Sequence, residues 1–176
     1  MENRTIEKLN VESLVTDMAR QLREQLGEKL EEAKIVGIHS GGTWIAQQLH
    51  QALGNPHPLG ELNISFYRDD FTQIGLHPQV APSNLPFELD NQSIILVDDV
   101  LFTGRTIRAA LNEIFDYGRP AQVYLAVLVD RNERELPIRA DITGTQLQLA
   151  PHQQIKLLGP SPLRLRLLNK QPEEEA

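Results

Sequence analysis

Hydrophobic positions along the chain form one helical stripe and then three similar strand-and-helix units. From Ile6 to Leu30, apolar residues recur every three or four positions between charged and amide side chains. This spacing marks one face of an α-helix. We therefore predict one amphipathic helix over this range, with Thr5 or Asn10 capping its start. Packing of the stripe against a core is the preferred interpretation, and docking of a partner helix is the alternative.

Three apolar runs follow the stripe, at Ile35–Ile38, Ile94–Val97 and Val123–Val129. The first two lead into stretches with helical spacing, predicted as helices over Thr43–Leu53 and from about Thr106 to Tyr117. Runs that are apolar on both faces are typical of a parallel sheet covered by helices on both sides. The alternation of strand and helix therefore predicts an open α/β sheet with right-handed crossovers.

The region between the first two units is less regular. Leu62–Tyr67 alternates apolar and polar residues, which predicts a half-exposed strand. From Arg68 to about Pro86 the chain has no periodicity and is interrupted by prolines. A stretch of this kind in a compact domain is either a functional lid or disordered.

The last part of the chain gives weaker signals. Leu157–Leu158 and Leu163–Leu168 predict edge strands, and residues 171–176 predict a frayed acidic tail. The length of 176 residues corresponds to about one domain of roughly 150 residues. We therefore expect a single domain over residues 1–176, with a flexible tail.

Composition and charge narrow the range of functions. The chain has no cysteine, which excludes disulfides, thiolate metal sites and cysteine nucleophiles. The formal charge is −7, with Glu173–Glu175 in the tail, so we expect no broad basic surface for duplex DNA, although a local basic patch stays open. No apolar run approaches the roughly 18 residues of a membrane span, and Met1–Arg4 has no signal-peptide pattern. We expect a cytoplasmic protein without a membrane partner.

One segment carries distinctive chemistry. Ile94–Thr106 reads IILVDDVLFTGRT, so that a buried strand ends in two adjacent carboxylates, Asp98 and Asp99. In open α/β sheets ligands bind at that edge. Thr103–Thr106 then begin a helix, whose free N–H groups and partial positive charge favour a phosphate. The segment suits a sugar phosphate: carboxylates hold the hydroxyls, directly or through a divalent metal, and amides hold the phosphate.

Other interpretations of this segment stay open at this point. A strand-end turn with a capping threonine and solvated aspartates occurs in many α/β proteins. A strand that ends in Asp also resembles the metal-holding element of nucleotide hydrolases, but the chain has no G-x-x-x-x-G-K-[ST] phosphate loop. It has no G-x-G-x-x-G either, so nothing supports a dinucleotide cofactor.

The motif VDDVLFTGRT resembles the phosphoribosyl-pyrophosphate signature of type I phosphoribosyltransferases. Other stretches resemble one family of these enzymes, the pyrimidine operon attenuation proteins that are also uracil phosphoribosyltransferases. They are residues 60–70 (GELNISFYRDD), 118–121 (GRPA), 125–131 (LAVLVDR) and 134–141 (RELPIRAD). The resemblance runs from about Val11 to Gly144, and the residues after Gly144 are not placed by it.

The resemblance implies a type I phosphoribosyltransferase fold, an open and mostly parallel sheet flanked by helices, with a small hood built from the chain ends and nearby strands. It implies a glycosyltransferase of pyrimidine salvage, which converts uracil and phosphoribosyl pyrophosphate (PRPP) to UMP and pyrophosphate. It also implies a homo-oligomer, and Mg²⁺ that binds with the substrate rather than in a dedicated protein cage.

The family's functional residues map onto matching positions of this chain. Asp98, Asp99 and Arg131 are the implied catalytic residues, with Mg²⁺ near the two aspartates. The implied substrate-binding residues lie in the loops around them: Ser40, Gly41, Gly42, Arg68, Asp98, Asp99, Val100, Leu101, Phe102, Thr103, Gly104, Arg105, Thr106 and Arg131. Among these, Leu101–Thr106 is expected to cradle the 5′-phosphate.

Two further loops depart from the family's usual pattern. His39–Gly42 is implied as the pyrophosphate loop and residues 68–84 as a lid that closes during turnover. The family commonly has Arg-Gly where this chain has Gly41–Gly42, and Phe71–Leu85 contains no Lys or Arg. Both are places where a cation would stabilise departing pyrophosphate. The amides of Ser40–Thr43, Mg²⁺ and a protonated histidine in the loop are the expected substitutes.

The family's second role is to bind a messenger RNA leader in the presence of UMP or UTP, which requires cations for the phosphate backbone. The candidate cations are Arg20, Arg23, Arg108, Arg119, Arg131, Arg134 and Arg139, and ordinary surface charge is the alternative interpretation of each. Two rival functions stay open. One is a UMP- or UTP-sensing RNA attenuator with weak or no catalysis, and the other is a phosphoribosyltransferase for a different base.

Overall fold

The computed structural model describes residues 3–64 and 82–171. A 3-10 turn at Gly27–Leu30 continues the second helix. The helices and strands of the described residues are, in chain order, α1 (Asn3–Ile6), α2 (Val11–Leu26), β1 (Lys34–Ile38), α3 (Gly41–Leu53), β2 (Gly60–Leu62), β3 (Ser93–Leu101), α4 (Arg105–Tyr117), β4 (Gln122–Asp130), β5 (Ile142–Gln146), β6 (Gln153–Leu158) and β7 (Arg164–Asn169).

The prediction of one continuous helix from Ile6 to Leu30 was wrong in its bounds, while the predicted alternative of a start capped by Asn10 is confirmed. Asn10 is in an extended conformation, and its side chain accepts a hydrogen bond from the Ser13 N–H at 2.9 Å, so it caps α2 and separates it from α1. At the other end, Gly27 has a φ of 55°, which ends the regular helix. The apolar spacing continues across both breaks because the flanking turns face the same core.

The remaining predictions agree with the structure to different degrees. The two predicted helices are α3 and α4, each beginning one or two residues earlier than expected. The strand predicted over Leu62–Tyr67 is instead β2, which ends at Leu62. Leu62 and Ile64 are fully buried and alternate with the half-buried Glu61 and Asn63, which agrees with the predicted alternation. Ser65–Tyr67 lie outside the described residues.

Five strands form a wholly parallel sheet in the order β2-β1-β3-β4-β5. Strand β2 lies on one side of β1, and the next strand along the chain, β3, lies on the other side of β1. The carboxyl ends of β1 and β3 therefore flank a topological switch point, which is where open α/β sheets bind ligands. The expected open, mostly parallel sheet flanked by helices is confirmed.

Alternate residues of the central strand face two separate cores. In β3, Ile95 and Val97 pack with α2 and α3 on one face, while Ile94 and Leu96 pack with α4 on the other. All four are fully buried. This two-sided burial explains why the strand is a continuous apolar run in the sequence.

The two strands predicted near the end of the chain are β6 and β7, which pair antiparallel in a small sheet of their own, where each is an edge strand. The apolar face of this hairpin joins the core that α2 and α3 cover, and α1 lies against β7. Both chain ends thus contribute to this small second layer. None of the helices in the described ranges is long and apolar enough to cross a membrane.

Candidate active site

Two strand-to-helix turns meet at the switch point. After β1, His39 and Ser40 lead into α3. After β3, residues 102–104 lead into α4. Because Gly37 pairs with Val97 in adjacent parallel strands, the first turn lies beside the aspartates at the end of the second strand.

Backbone N–H groups orient both of these aspartates. Asp98 is only 3% exposed, and its Oδ1 accepts a hydrogen bond from the Asp99 N–H at 2.9 Å. The Oδ1 of Asp99 accepts one from the Val100 N–H at the same distance. Hydrogen bonds of this kind stabilise the charged form of a carboxylate. The strand end therefore presents two oriented carboxylates beside each other.

Gly41 and Gly42 sit directly on the acidic pair. A Cβ built at Gly42 would lie 2.6 Å from the Val97 carbonyl oxygen and 3.0 Å from the Asp98 Cα, and one built at Gly41 would overlap the Asp99 carboxylate. At Gly42 the neighbour is backbone, so only glycine permits this approach, whereas at Gly41 the neighbour is the Asp99 side chain.

The same turn presents unpaired donors at the start of α3. Ser40 is exposed and makes no side-chain cap, and the first N–H groups of a helix have no partner within it. The Thr43 hydroxyl is buried and has no hydrogen-bond partner among the described residues. A helix N-terminus with such donors favours a phosphate or pyrophosphate.

Hydrogen bonds from Glu135 and Leu136 hold the turn after β3 in place. Gly104 has a φ of 94° and begins α4 without a side-chain cap. The Thr103 carbonyl accepts hydrogen bonds from the N–H groups of Glu135 and Leu136, at 3.0 and 3.1 Å, and its hydroxyl accepts one from Arg105 N–H at 3.2 Å. Leu101 is buried, and Val100, Thr103 and Thr106 are half-buried. These contacts fix the backbone of the turn at the start of α4.

Arg131 follows β4 and joins the site through the strand beside it. Its N–H donates to the Leu101 carbonyl at 3.0 Å, its guanidinium carbon lies 3.9 Å from the ring centroid of Phe102, and its Nη2 lies 3.3 Å from both carboxylate oxygens of Glu133. The side chain is 6% exposed. Its buried Nε has no hydrogen-bond partner in the described parts of the chain. A buried guanidinium with long contacts and an unused donor favours an added anion.

Two carboxylates that the sequence reasoning did not single out face the site's cations. Glu133 contacts Arg131, as above, and Glu135 Oε2 accepts a hydrogen bond from Arg105 Nε at 3.0 Å. The signal was present in the alternating charges of residues 131–135, RNERE. Without the fold, nothing indicates that this stretch runs beneath the turn at residues 102–104.

The described residues bring nearly all the predicted site positions to one edge of the sheet. Residues 68–81 of the predicted lid, Arg68 among them, lie outside the described residues. No group of three or more possible metal ligands occurs within residues 3–64 and 82–171. Two oriented carboxylates suit a divalent cation that takes its other ligands from substrate and water, which is the usual arrangement for Mg²⁺ beside phosphates.

Comparison with known proteins places this chain in a family. The model of the "Phosphoribosyl transferase domain" family matches residues 3–157. The chain is 59% identical over 157 residues to the "Bifunctional protein PyrR" of Pseudomonas aeruginosa strain LESB58, covering 89% of this chain and 92% of that protein. It is 54% identical over 169 residues to the PyrR protein of Nitrosococcus oceani, covering 94% and 96%.

Solved structures agree on the fold. A hypoxanthine-guanine phosphoribosyltransferase from Bacillus anthracis has a TM-score of 0.63 at 18% identity, over 81% of this chain and 80% of that one. A hypoxanthine phosphoribosyltransferase from Staphylococcus aureus has a TM-score of 0.60 at 18% identity, over 84% of each. At this identity the likeness concerns the fold alone. On its sequence relatives and its family match, the chain belongs to the phosphoribosyltransferase family and, within it, to the bifunctional PyrR proteins.

Proposed function

We propose that this chain is a uracil phosphoribosyltransferase, which forms UMP and pyrophosphate from uracil and PRPP, and that it also regulates a pyrimidine operon. One observation carries the catalytic proposal. The Gly41–Gly42 turn is pressed onto the oriented pair Asp98 and Asp99, beside the open N-terminus of α4. This arrangement offers acceptors for ribose hydroxyls between two donors for phosphate.

Each part of the site then has a role in the proposed reaction. The carboxylates of Asp98 and Asp99 hold the ribose hydroxyls, while the amides and hydroxyls of Thr103–Thr106 hold the 5′-phosphate. The N–H groups at the start of α3 face the pyrophosphate. Mg²⁺, when bound with PRPP near the aspartates, supplies neutralisation of the pyrophosphate charge.

The reaction places particular demands on these residues. The bond from the anomeric carbon to pyrophosphate breaks as the uracil nitrogen attacks, through a state with positive charge on the ribose. The carboxylates stabilise that charge, and the amides and Arg131 stabilise the negative charge that leaves. Arg131 suits this role because it is a buried cation with an unused donor.

The regulatory half of the proposal is supported by the relatives, which are named bifunctional. A second function in this group is the binding of an RNA leader in response to UMP or UTP. The homo-oligomer, the cytoplasmic location and the single domain over residues 1–176 belong to the same proposal, as does substrate binding by Arg68.

The catalytic proposal is tested by UMP formation from uracil and PRPP with Mg²⁺. Asp99→Asn is expected to lower kcat/KM by about a hundredfold, because it removes charge stabilisation at the reacting ribose. Asp116→Asn is the matched control, since Asp116 is an exposed aspartate at the far end of α4. It is expected to leave the rate unchanged.

Unfolding midpoints and UMP binding, measured on both variants, separate lost chemistry from lost structure. A panel of other bases with the same PRPP tests the specificity for uracil. Saturable UMP binding without turnover in the wild-type chain would contradict the enzyme and favour the sensor, whereas turnover with another base alone would contradict uracil as substrate.

A further inference from the structure

The phenyl ring of Phe102 is an exposed apolar group at the candidate site. It is 43% exposed, and the other exposed large hydrophobic side chains of the described residues, Phe115 and Tyr117, lie at the far end of α4. The proposed phosphate-binding role of residues 101–106 uses their backbone and hydroxyl groups, which leaves this ring without a function. A single exposed apolar side chain is common on protein surfaces, so its contacts decide whether it has a role.

One face of the Phe102 ring is covered by Arg131. The guanidinium carbon lies 3.9 Å from the ring centroid, well inside the limit of about 6 Å for a cation–π contact. The Arg131 side chain is only 6% exposed, and cation–π contacts are stronger when they are shielded from water. The ring therefore lies over a buried cation of the proposed catalytic machinery.

The register of the sheet brings the two residues together. Leu101 pairs with Asp130 at the ends of β3 and β4, and the Arg131 N–H donates to the Leu101 carbonyl at 3.0 Å. Phe102 and Arg131 are the next residues along the two strands, so they are neighbours one position beyond the sheet. The main chain thus fixes the base of the Arg131 side chain, and the ring meets its charged end.

The ion pair with Glu133 is too long to orient the Arg131 guanidinium by itself. The Nη2 lies 3.3 Å from both carboxylate oxygens, whereas charge-assisted hydrogen bonds of this type measure about 2.7–2.9 Å. Arg20 shows the short form, at 2.6 and 2.7 Å from Asp17 and Glu24, and its hydrogen bond lowers the pKa of the Asp17 carboxyl. The Arg131 Nε, in contrast, has no hydrogen-bond partner within the described ranges, so this donor stays available to an anion.

We infer that Phe102 is a positioning residue, whose ring orients the Arg131 guanidinium toward the pyrophosphate that leaves in the reaction. The inference rests on the proposed function, in which Arg131 stabilises that leaving charge. A ring face attracts a cation without using its N–H donors, whereas a carboxylate uses donors and neutralises the charge. The ring therefore fixes the guanidinium and preserves both its charge and its donors for the transition state.

The test measures kcat and the KM for PRPP in UMP formation by Phe102→Leu, which keeps an apolar side chain and removes the ring. Because the leaving charge develops only in the transition state, kcat is expected to fall about tenfold, with the KM for PRPP changed by less than about twofold. Phe102→Tyr restores a ring and is expected to keep most of the wild-type kcat. Phe115→Leu is the matched control, the same substitution at an exposed phenylalanine near the end of α4, and is expected to change neither constant.

A double-mutant cycle with Arg131→Gln shows whether the ring acts through the guanidinium. If it does, Phe102→Leu has no further effect on kcat once Arg131 is replaced. Losses that multiply in the double variant would overturn the inference, because the ring would then act without the cation. Unfolding midpoints and UMP binding are measured on every variant to detect lost structure. Phe102→Met provides a second side chain without a ring if Phe102→Leu does not fold.

Failure of the inference and failure of the proposed function give different results. A normal kcat in Phe102→Leu, together with a large loss in Arg131→Gln, would overturn the positioning role and leave the enzyme intact. A higher KM for PRPP with an unchanged kcat would also overturn it, because the ring would then contact the substrate equally in the ground and transition states. A normal kcat in Arg131→Gln would contradict the role of Arg131 in the proposed reaction, and the role of Phe102 with it.

Discussion

The two turns at the switch point perform similar tasks and are built differently. The turn after β1 is held by close packing, because Gly42 rests on the backbone of β3 and Gly41 on the Asp99 side chain. The turn after β3 is held by hydrogen bonds from the chain beneath it, to the Thr103 carbonyl. Both lead into helices whose N-cap residue makes no side-chain cap, although the Arg105 N–H at the start of α4 donates to the Thr103 hydroxyl.

Their charges differ as well. The turn after β3 has Arg105 within it and Arg131 beside it, each facing a glutamate. The turn after β1 contains no Lys or Arg. Binding of an anion at the turn after β1 therefore depends on backbone amides and on a metal ion. An anion at the turn after β3 meets Arg105 and Arg131, which already contact glutamates. Variants of the two turns should thus fail in different ways.

The largest effect is expected at the glycine turn. Gly42→Ala places a Cβ 2.6 Å from the Val97 carbonyl oxygen, and a backbone atom of a central strand cannot yield. We expect a loss of about a hundredfold in kcat/KM, as for other charge-stabilising groups, and a destabilisation of about 1–3 kcal/mol from overpacking. Steady-state kinetics and urea unfolding measure the two effects.

Gly41→Ala tests the neighbouring glycine, which contacts a side chain where Gly42 contacts backbone. Its Cβ would meet the Asp99 carboxylate rather than the backbone, and a side chain can rotate. We expect a similar loss of turnover with an almost normal unfolding midpoint. Gln47→Ala, at an exposed position of the same helix, is the control. If Gly42→Ala retained normal kcat/KM, close backbone packing would not be what holds this turn.

A smaller effect is expected at the second turn. Gly104 has a φ of 94°, a region that costs other residues about 1–2 kcal/mol, so Gly104→Ala should destabilise the chain and raise the KM for PRPP about tenfold. Gly54→Ala is the matched control, with a φ of 60° and open space around it at the end of α3. We expect a similar loss of stability there without a change in KM. Equal kinetic effects in both variants would contradict a role for Gly104 in phosphate binding.

The sequence predicted the acidic strand end and the helix start because these features are local. A buried strand, two aspartates and a Thr-Gly pair all occur within Ile94–Thr106. The parallel sheet was predictable for the same reason, since its two-sided burial makes each strand a continuous apolar run. The N-terminal helix was predicted too long because periodicity continues through Asn10, whose capping hydrogen bond depends on backbone geometry.

Contacts between distant segments were not predictable. Residues 131–135 lie about thirty positions after the turn that they support, so their hydrogen bonds to Thr103 and their carboxylates near Arg105 and Arg131 require the fold. The sequence predicted the two edge strands of the hairpin, but not that they pair with each other, because alternation in one strand does not identify its partner. The pairing that opposes Lys156 and Arg166 is a property of register, which a single strand does not reveal.

Glu133→Gln tests whether Glu133 competes with the substrate for the Arg131 guanidinium. Glu133 is 39% exposed, and such a pair contributes about 0.2–1 kcal/mol, so removing its charge should lower the KM for PRPP by up to about fivefold. Glu88→Gln is the control, because Glu88 is an exposed glutamate that precedes β3, at the opposite edge of the sheet. A higher KM in Glu133→Gln would mean that the carboxylate orients Arg131 for the substrate rather than competing with it.

The smallest effect is expected for Glu135→Gln. This variant distinguishes the contribution of the Glu135 side chain from that of its backbone N–H. The Arg105–Glu135 pair is exposed on both sides, so its loss should cost at most about 1 kcal/mol of stability. The Glu135 N–H still donates to the Thr103 carbonyl in the variant, because the main chain is unaltered. Turnover should therefore stay close to the wild-type value, with any difference disappearing as salt screens the exposed charge. Measurements of kcat/KM at low and high salt decide the point. A large loss that persists in high salt would show that the carboxylate holds the turn, and that hydrogen bonds from the main chain do not suffice.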